Sequence, residues 1–104
     1  MKEFLLETPV TKDFFAYLGN FGQVEALPEV GDGFYKFDKP DWFSIKGFIG
    51  DTTIEVRFKK EVIDLTVDFV YFLFASYQEG MTDLAVLKQR EHAIGERVRK
   101  YLYG

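Results

Sequence analysis

The chain has 104 residues, 47% of them hydrophobic and 29% charged, and a formal net charge of −4. That length suits a single domain, 1–104, and the composition is that of a folded globule rather than a disordered segment. The absence of cysteine excludes disulfides, zinc–thiolate centres and thiol catalysis, and an acidic whole argues against a dedicated nucleic-acid binder.

Charge is spread unevenly. Residues 1–53 hold nine acids and five bases, whereas from Lys88 onward there are five bases and two acids. A basic stretch at the end of a helix complements the macrodipole and needs no nucleic-acid partner. The first nine residues lack the unbroken apolar run of a secretory signal. The longest apolar run, Phe69 to Ala75, is too short to span a bilayer, so no membrane partner is expected. A cytoplasmic address is the resulting expectation.

In chain order, Glu3 to Glu7 suits a short strand and Thr8-Pro9 interrupts it. Thr11 to Leu18 reads as a short helix with Phe14, Phe15 and Leu18 on its apolar face, closed by Gly19-Asn20. Gln23 to Leu27 is a weak strand ended by Pro28. Gly31-Asp32-Gly33 signals a turn before a strand at Phe34 to Phe37, and Lys39-Pro40-Asp41 breaks that strand. Trp42 to Ile49 and Thr52 to Lys59 form a hairpin about Gly50-Asp51, a pair suited to a II′-type turn. Ile54, Val56 and Phe58 alternate there with Glu55, Arg57 and Lys59, giving one dry face and one wet face.

Residues 61–78 carry two patterns. Ile63, Leu65, Val67 and Phe69 alternate with Asp64, Thr66 and Asp68, and the β-branched, aromatic composition predicts a strand, bent or bulged to fit. Against this, Glu61, Asp64, Asp68, Tyr71, Ala75 and Gln78 would line one stripe of a helix, and no turn residue marks the approach at Lys60. From Thr82 or Asp83, either able to cap, the spacing of Leu84, Leu87, Ile94, Val98 and Tyr101 predicts a helix to Tyr103. Gly95 in its middle is explained either by the close approach of another backbone or by simple tolerance. The expected fold is α+β: a two-layer sandwich of a mostly antiparallel sheet with a long C-terminal helix packed on one face.

No cofactor or metal motif is legible. His92 is the only histidine and falls beside the apolar stripe of the last helix. Asp32, Asp38 and Asp41 cluster near glycines without the ligand ladder of a calcium loop, and read as solvated turn acids. Pro40-Asp41 followed by Glu55-Val56-Arg57 resembles the PD-(D/E)xK pattern of metal-dependent nucleases. Arginine stands where lysine is required, and the pattern is too short to place the chain in that family.

Two features remain. Glu91 continues the apolar stripe of the last helix and so points toward the sheet, where Arg57 or a tyrosine could partner it. The chain also carries 12 Phe, 6 Tyr and one Trp. Alternation around Tyr35, Trp42 and Phe43 puts some of these rings outside the core, where aromatics favour interfaces and pockets. The sequence therefore suggests a binding or interaction domain without catalytic machinery. Its partner would be a second copy or another protein, with Glu91, Trp42, Tyr35, Phe43 and Arg57 as ligand or interface residues. The alternatives are a small-molecule carrier with a pocket between sheet and C-terminal helix, and a metal-dependent hydrolase using Asp41 and Glu55.

Overall fold

The computed structural model describes residues 2–6, 8–27, 33–80 and 83–104. Five strands, β1 (Lys2–Leu5), β2 (Gln23–Ala26), β3 (Phe34–Lys39), β4 (Phe43–Phe48) and β5 (Thr53–Phe58), form one sheet. Its order is β1-β5-β4-β3-β2 and every neighbouring pair is antiparallel. Among the described residues three α-helices accompany the sheet: α1 (Lys12–Leu18), α2 (Ile63–Gln78) and α3 (Leu84–Tyr103). The α+β architecture is as the sequence implies, with the C-terminal helices packed against the sheet. No helix among the described residues is long and apolar enough to cross a membrane.

β1 and β2 occupy opposite edges, so the segment between them must cross the sheet, and α1 makes that crossing. Thr11 caps α1 by accepting from the Phe14 amide at 3.1 Å. Phe14, Phe15, Tyr17 and Leu18 are buried, and Phe15 stacks on Tyr35 of β3 with centroids 5.4 Å apart. On the way, Val10 brackets the β4–β5 hairpin: its amide donates to the Asp51 carbonyl at 2.7 Å and its carbonyl accepts from Gly50 at 2.8 Å. The hairpin turn differs from the II′ expectation. The Asp51 amide donates to Phe48, so Gly50, at φ 98°, is the third residue of the turn rather than the second. This is the position where a type II turn requires positive φ.

The strand expected within residues 61–78 is a helix. After a single 3-10 turn (Lys60–Val62), α2 buries Thr66, Phe69, Val70, Leu73 and Phe74. Phe69 with Val70, and Leu73 with Phe74, are sequence neighbours that share the dry side. A strand cannot place both members of such a pair on one face, whereas a helix can. The polar stripe from Glu61 through Asp64, Asp68 and Tyr71 to Ala75 is the exposed side. Burial has overridden the β-branched propensity of this segment. Helix α3 starts at Asp83, whose side chain accepts from the Ala85 amide. Thr82, the other capping candidate, lies outside the described residues, as do Pro28, Gly31, Asp32 and Glu7.

The core lies between the sheet and the helices. Phe4, Phe37, Phe43, Ile45, Ile54 and Val56 point into it from the strands. The opposite side of the sheet is bare of the described residues and is organised in rows across the strands. One row reads Glu3, Glu55, Lys46, Lys36, Glu25, each paired in register with the next. Two residues along, Leu5 pairs with Thr53 and Phe48 with Phe34. Leu5 is 79% exposed and the two phenylalanine rings touch at 4.5 Å.

Tyr17 reports on the core. Its hydroxyl donates to the Leu73 carbonyl at 2.8 Å, and burial pushes the phenol from its ordinary 10.0 up to about 12. The folded state therefore holds this proton at pH values where the unfolded chain has lost it. Stability should be intact below pH 10 and should fall by about 2–3 kcal/mol as pH rises to 12. Denaturant melts of the wild type and of Tyr17→Phe at stepped pH check this, since the substitution should remove that portion of the alkaline loss.

Candidate functional site

The turn Lys39-Pro40-Asp41-Trp42 delivers the site. The Trp42 amide donates to the Lys39 carbonyl at 3.0 Å, with Pro40 second in the turn and Asp41 third at φ 71°. Proline presets the second position, and aspartate tolerates the left-handed third one. The turn drops Trp42 onto the helical side, where the indole is 8% exposed and meets Phe69 of α2 edge-on at 5.5 Å. Asp41 stays outside and accepts a hydrogen bond from the Tyr103 hydroxyl at 2.8 Å, which ties the end of α3 to the turn. That bond raises the Tyr103 pKa above its ordinary value.

Lys39 is the last residue of β3 and shares the core side with Phe37. Its ammonium donates to the Phe21 carbonyl at 2.6 Å and to Glu91 Oε2 at 2.5 Å, and lies 4.4 Å from the centre of the Trp42 ring. The other Glu91 oxygen lies 3.4 Å from Lys88 Nζ. Lys88 also donates to the Asn20 carbonyl and sits 5.0 Å over the Phe21 ring. Both Glu91 and Lys39 are mostly withdrawn from water, at 19% and 12% exposure. A charge so placed needs both an opposite charge and hydrogen bonds, and this pair has both. Glu91 thus points toward the sheet as its spacing implies, but its partners are Lys39 and Lys88 rather than Arg57. No sequence periodicity announces Lys39, because it stands beside a turn where alternation ends.

Gly95 lies one helical turn beyond Glu91. A β-carbon there would stand 3.3 Å from Trp42 Cζ2, so the close approach is to an indole rather than to another backbone. Between α3 and the turn runs an open groove of about 480 Å³, floored by Trp42 and Gly95. Lys88, His92, Glu96 and Arg99 rim it. His92 is 80% exposed and lies 3.6 Å from Glu96, whose same oxygen is 3.6 Å from Arg99. An aromatic floor under mixed charges suits a small planar or zwitterionic ligand.

The other candidates sit elsewhere. Tyr35 is half-buried on the core side against Phe15, and Phe43 is buried at 3% exposure. Arg57 lies on the bare face of the sheet, its Nε 2.9 Å from Glu55. Asp41 and Glu55, the acids of the hydrolase reading, are engaged by different partners, Tyr103 and Arg57. Among the described residues no three histidine, aspartate or glutamate side chains gather as a metal site would require. A third surface is the apolar groove of about 260 Å³ between α2 and α3, lined by Phe72, Ala75, Val86 and Leu87.

Gly95 gives a direct check. Gly95→Ala gains about 1 kcal/mol of helix propensity against a tight contact, so its net effect should be small. Gly95→Leu should displace the indole and cost about 1–3 kcal/mol. Trp42 is the only tryptophan, so a red-shifted emission in the leucine variant alone reads the displacement. No protein-family model, curated protein or solved structure matches this chain.

Proposed function

We propose that this chain is an interaction domain that associates with itself, working by surface recognition rather than by bond-making chemistry. The observation that carries the reading is the bare face of the sheet. Among the described residues helices cover one side only, and the other presents Leu5 and the touching rings of Phe34 and Phe48 in one row across the strands. Aromatic and aliphatic side chains placed together on an uncovered face are what an interface core requires. The aromatic surplus of the sequence favours the same reading, with Phe48 exposed and Phe34 half-buried on this face, whereas Tyr35, Trp42 and Phe43 lie on the core side. From the lengths of its apolar runs we take the cytoplasm as its location.

A second reading is favoured by the Trp42–Glu91 groove. Two residues singled out from sequence meet there over a cavity of about 480 Å³, which suits a small-molecule carrier.

Light scattering coupled to size exclusion, from micromolar to millimolar protein, checks the first reading. The expected result is a concentration-dependent dimer that Leu5→Glu weakens at least tenfold. A monomer at every concentration overturns it. For the second reading, native mass spectrometry should find an adduct of a few hundred daltons that Glu91→Gln releases. A Glu91→Gln protein that melts lower but keeps its adduct removes Glu91 as the anchor.

A further inference from the structure

The charged row on the bare face is arranged poorly for a lone chain. Glu3 lies directly across from Glu55, and Lys36 directly across from Lys46. Like charges facing one another across strands repel, and alternation of sign would have avoided this. Glu55 has Arg57 beside it and faces Lys46 across the strands, but no ion pair joins Glu3 or Glu55 to Lys46 or Lys36 among the described residues.

The order acid, acid, base, base is self-complementary about its own midpoint, which falls between β5 and β4. Building on the self-association proposed above, we infer that the partner is a second copy docked face to face on this sheet. The twofold axis runs along the strands between β4 and β5. That operation sets Glu55 over Lys46 of the second copy and Glu3 over its Lys36, and repeats both contacts by symmetry.

The same axis matches the next row. Leu5 falls over Phe34 of the second copy, and Thr53 falls over its Phe48, so the apolar row meets itself. Arg57 falls over Ser44, one strand spacing from Asp38 of the second copy. One operation matches the charged and apolar rows, with Glu25 and Gln23 of β2 left at the rim and Asp38 without a β1 residue opposite it. Shape agrees with charge. A uniformly twisted sheet is a saddle, and a saddle is carried onto itself by a twofold axis along one of its straight lines.

Size bounds the affinity. Four overlapping strands at about 4.8 Å make a face roughly 19 Å wide and, over three rows, roughly 20 Å long. The total buried area is on the order of 800 Å², in the range of weak, transient interfaces. A dimer with Kd on the order of micromolar, weakened by salt, is the expectation.

The test splits the charges between two chains. Glu3→Lys with Glu55→Lys makes the row all basic, and Lys36→Glu with Lys46→Glu makes it all acidic. Each variant alone should be monomeric by native mass spectrometry, and an equimolar mixture should give a dimer holding one of each. Trp42 emission, on the far side of the sheet, verifies that both are folded. Monomeric variants that fail to pair on mixing overturn the register. Variants that dimerise as well as the wild type move the dimer to another surface, such as the α2–α3 groove, while self-association stands. A wild type that never dimerises overturns both. Salt titration of the unaltered protein is independent of folding in the variants. Dissociation should strengthen at least tenfold between 50 and 500 mM salt, and a salt-indifferent dimer overturns the inference.

Discussion

The fold depends on α2 lying against the sheet through rings. Phe69 meets both Trp42 and Phe21 edge-on, at 5.5 and 5.9 Å, and Phe74 meets Phe4 and Phe14 at 5.4 and 5.6 Å. These contacts reach β1, α1, the loop after α1 and the β3–β4 turn. Each edge-to-face pair adds about 0.5–1.5 kcal/mol beyond the area it buries. More important is that the rings are shared. Displacing α2 would uncover the N-terminal strand, the crossover helix and the floor of the Trp42 groove together.

That arrangement divides the labour of the two sheet faces. On the helical side polar atoms are few and matched: Lys39 by Glu91 and a carbonyl, Tyr17 by Leu73, Thr66 by Val62. No buried side-chain nitrogen or oxygen among the described residues lacks a partner. On the bare side the side chains stand in ladders whose charges are grouped rather than interleaved. The two readings proposed above fall on opposite sides, the small-molecule groove at the Trp42 corner of the first and the self-association surface on the second. Substitutions on one side should therefore act independently of those on the other.

Much of the fold was legible because it rests on short-range pattern. The β4–β5 hairpin follows from the alternation of Ile54, Val56 and Phe58, α1 from Thr11 and its Phe14-Phe15 face, and α3 from Asp83 and the Leu87-to-Val98 spacing. Residues 61–78 misled because both periods fit. Ile63, Leu65, Val67 and Phe69 alternate, yet the burial of adjacent pairs, which alone distinguishes the two, is a tertiary fact. At the site, spacing turned Glu91 toward the sheet but could not supply Lys39, whose approach depends on the Pro40-Asp41 turn. The aromatic count signalled a surplus correctly in number. Which strand rings reach the bare face, Phe34 and Phe48, depends on register, while Tyr71, Tyr101 and Tyr103 stand exposed on α2 and α3. The charged row, spread over four strand pairings, is invisible until all four are known.

The pairing of β1 with β5 has a temporal side. Strands β2 to β5 form a meander whose partners are close in sequence, whereas Lys2 must wait for Val56. During synthesis β1 emerges before the strand it pairs with and must wait for it. Contacts of such separation slow folding, because the loop between them must close before they reward it. Until then the β5 edge is open to any extended segment nearby, including the β1 of a neighbouring molecule. Exchange of that strand between two chains is the misassembly this topology invites, and a nascent chain held by a chaperone until Phe58 has emerged would escape it.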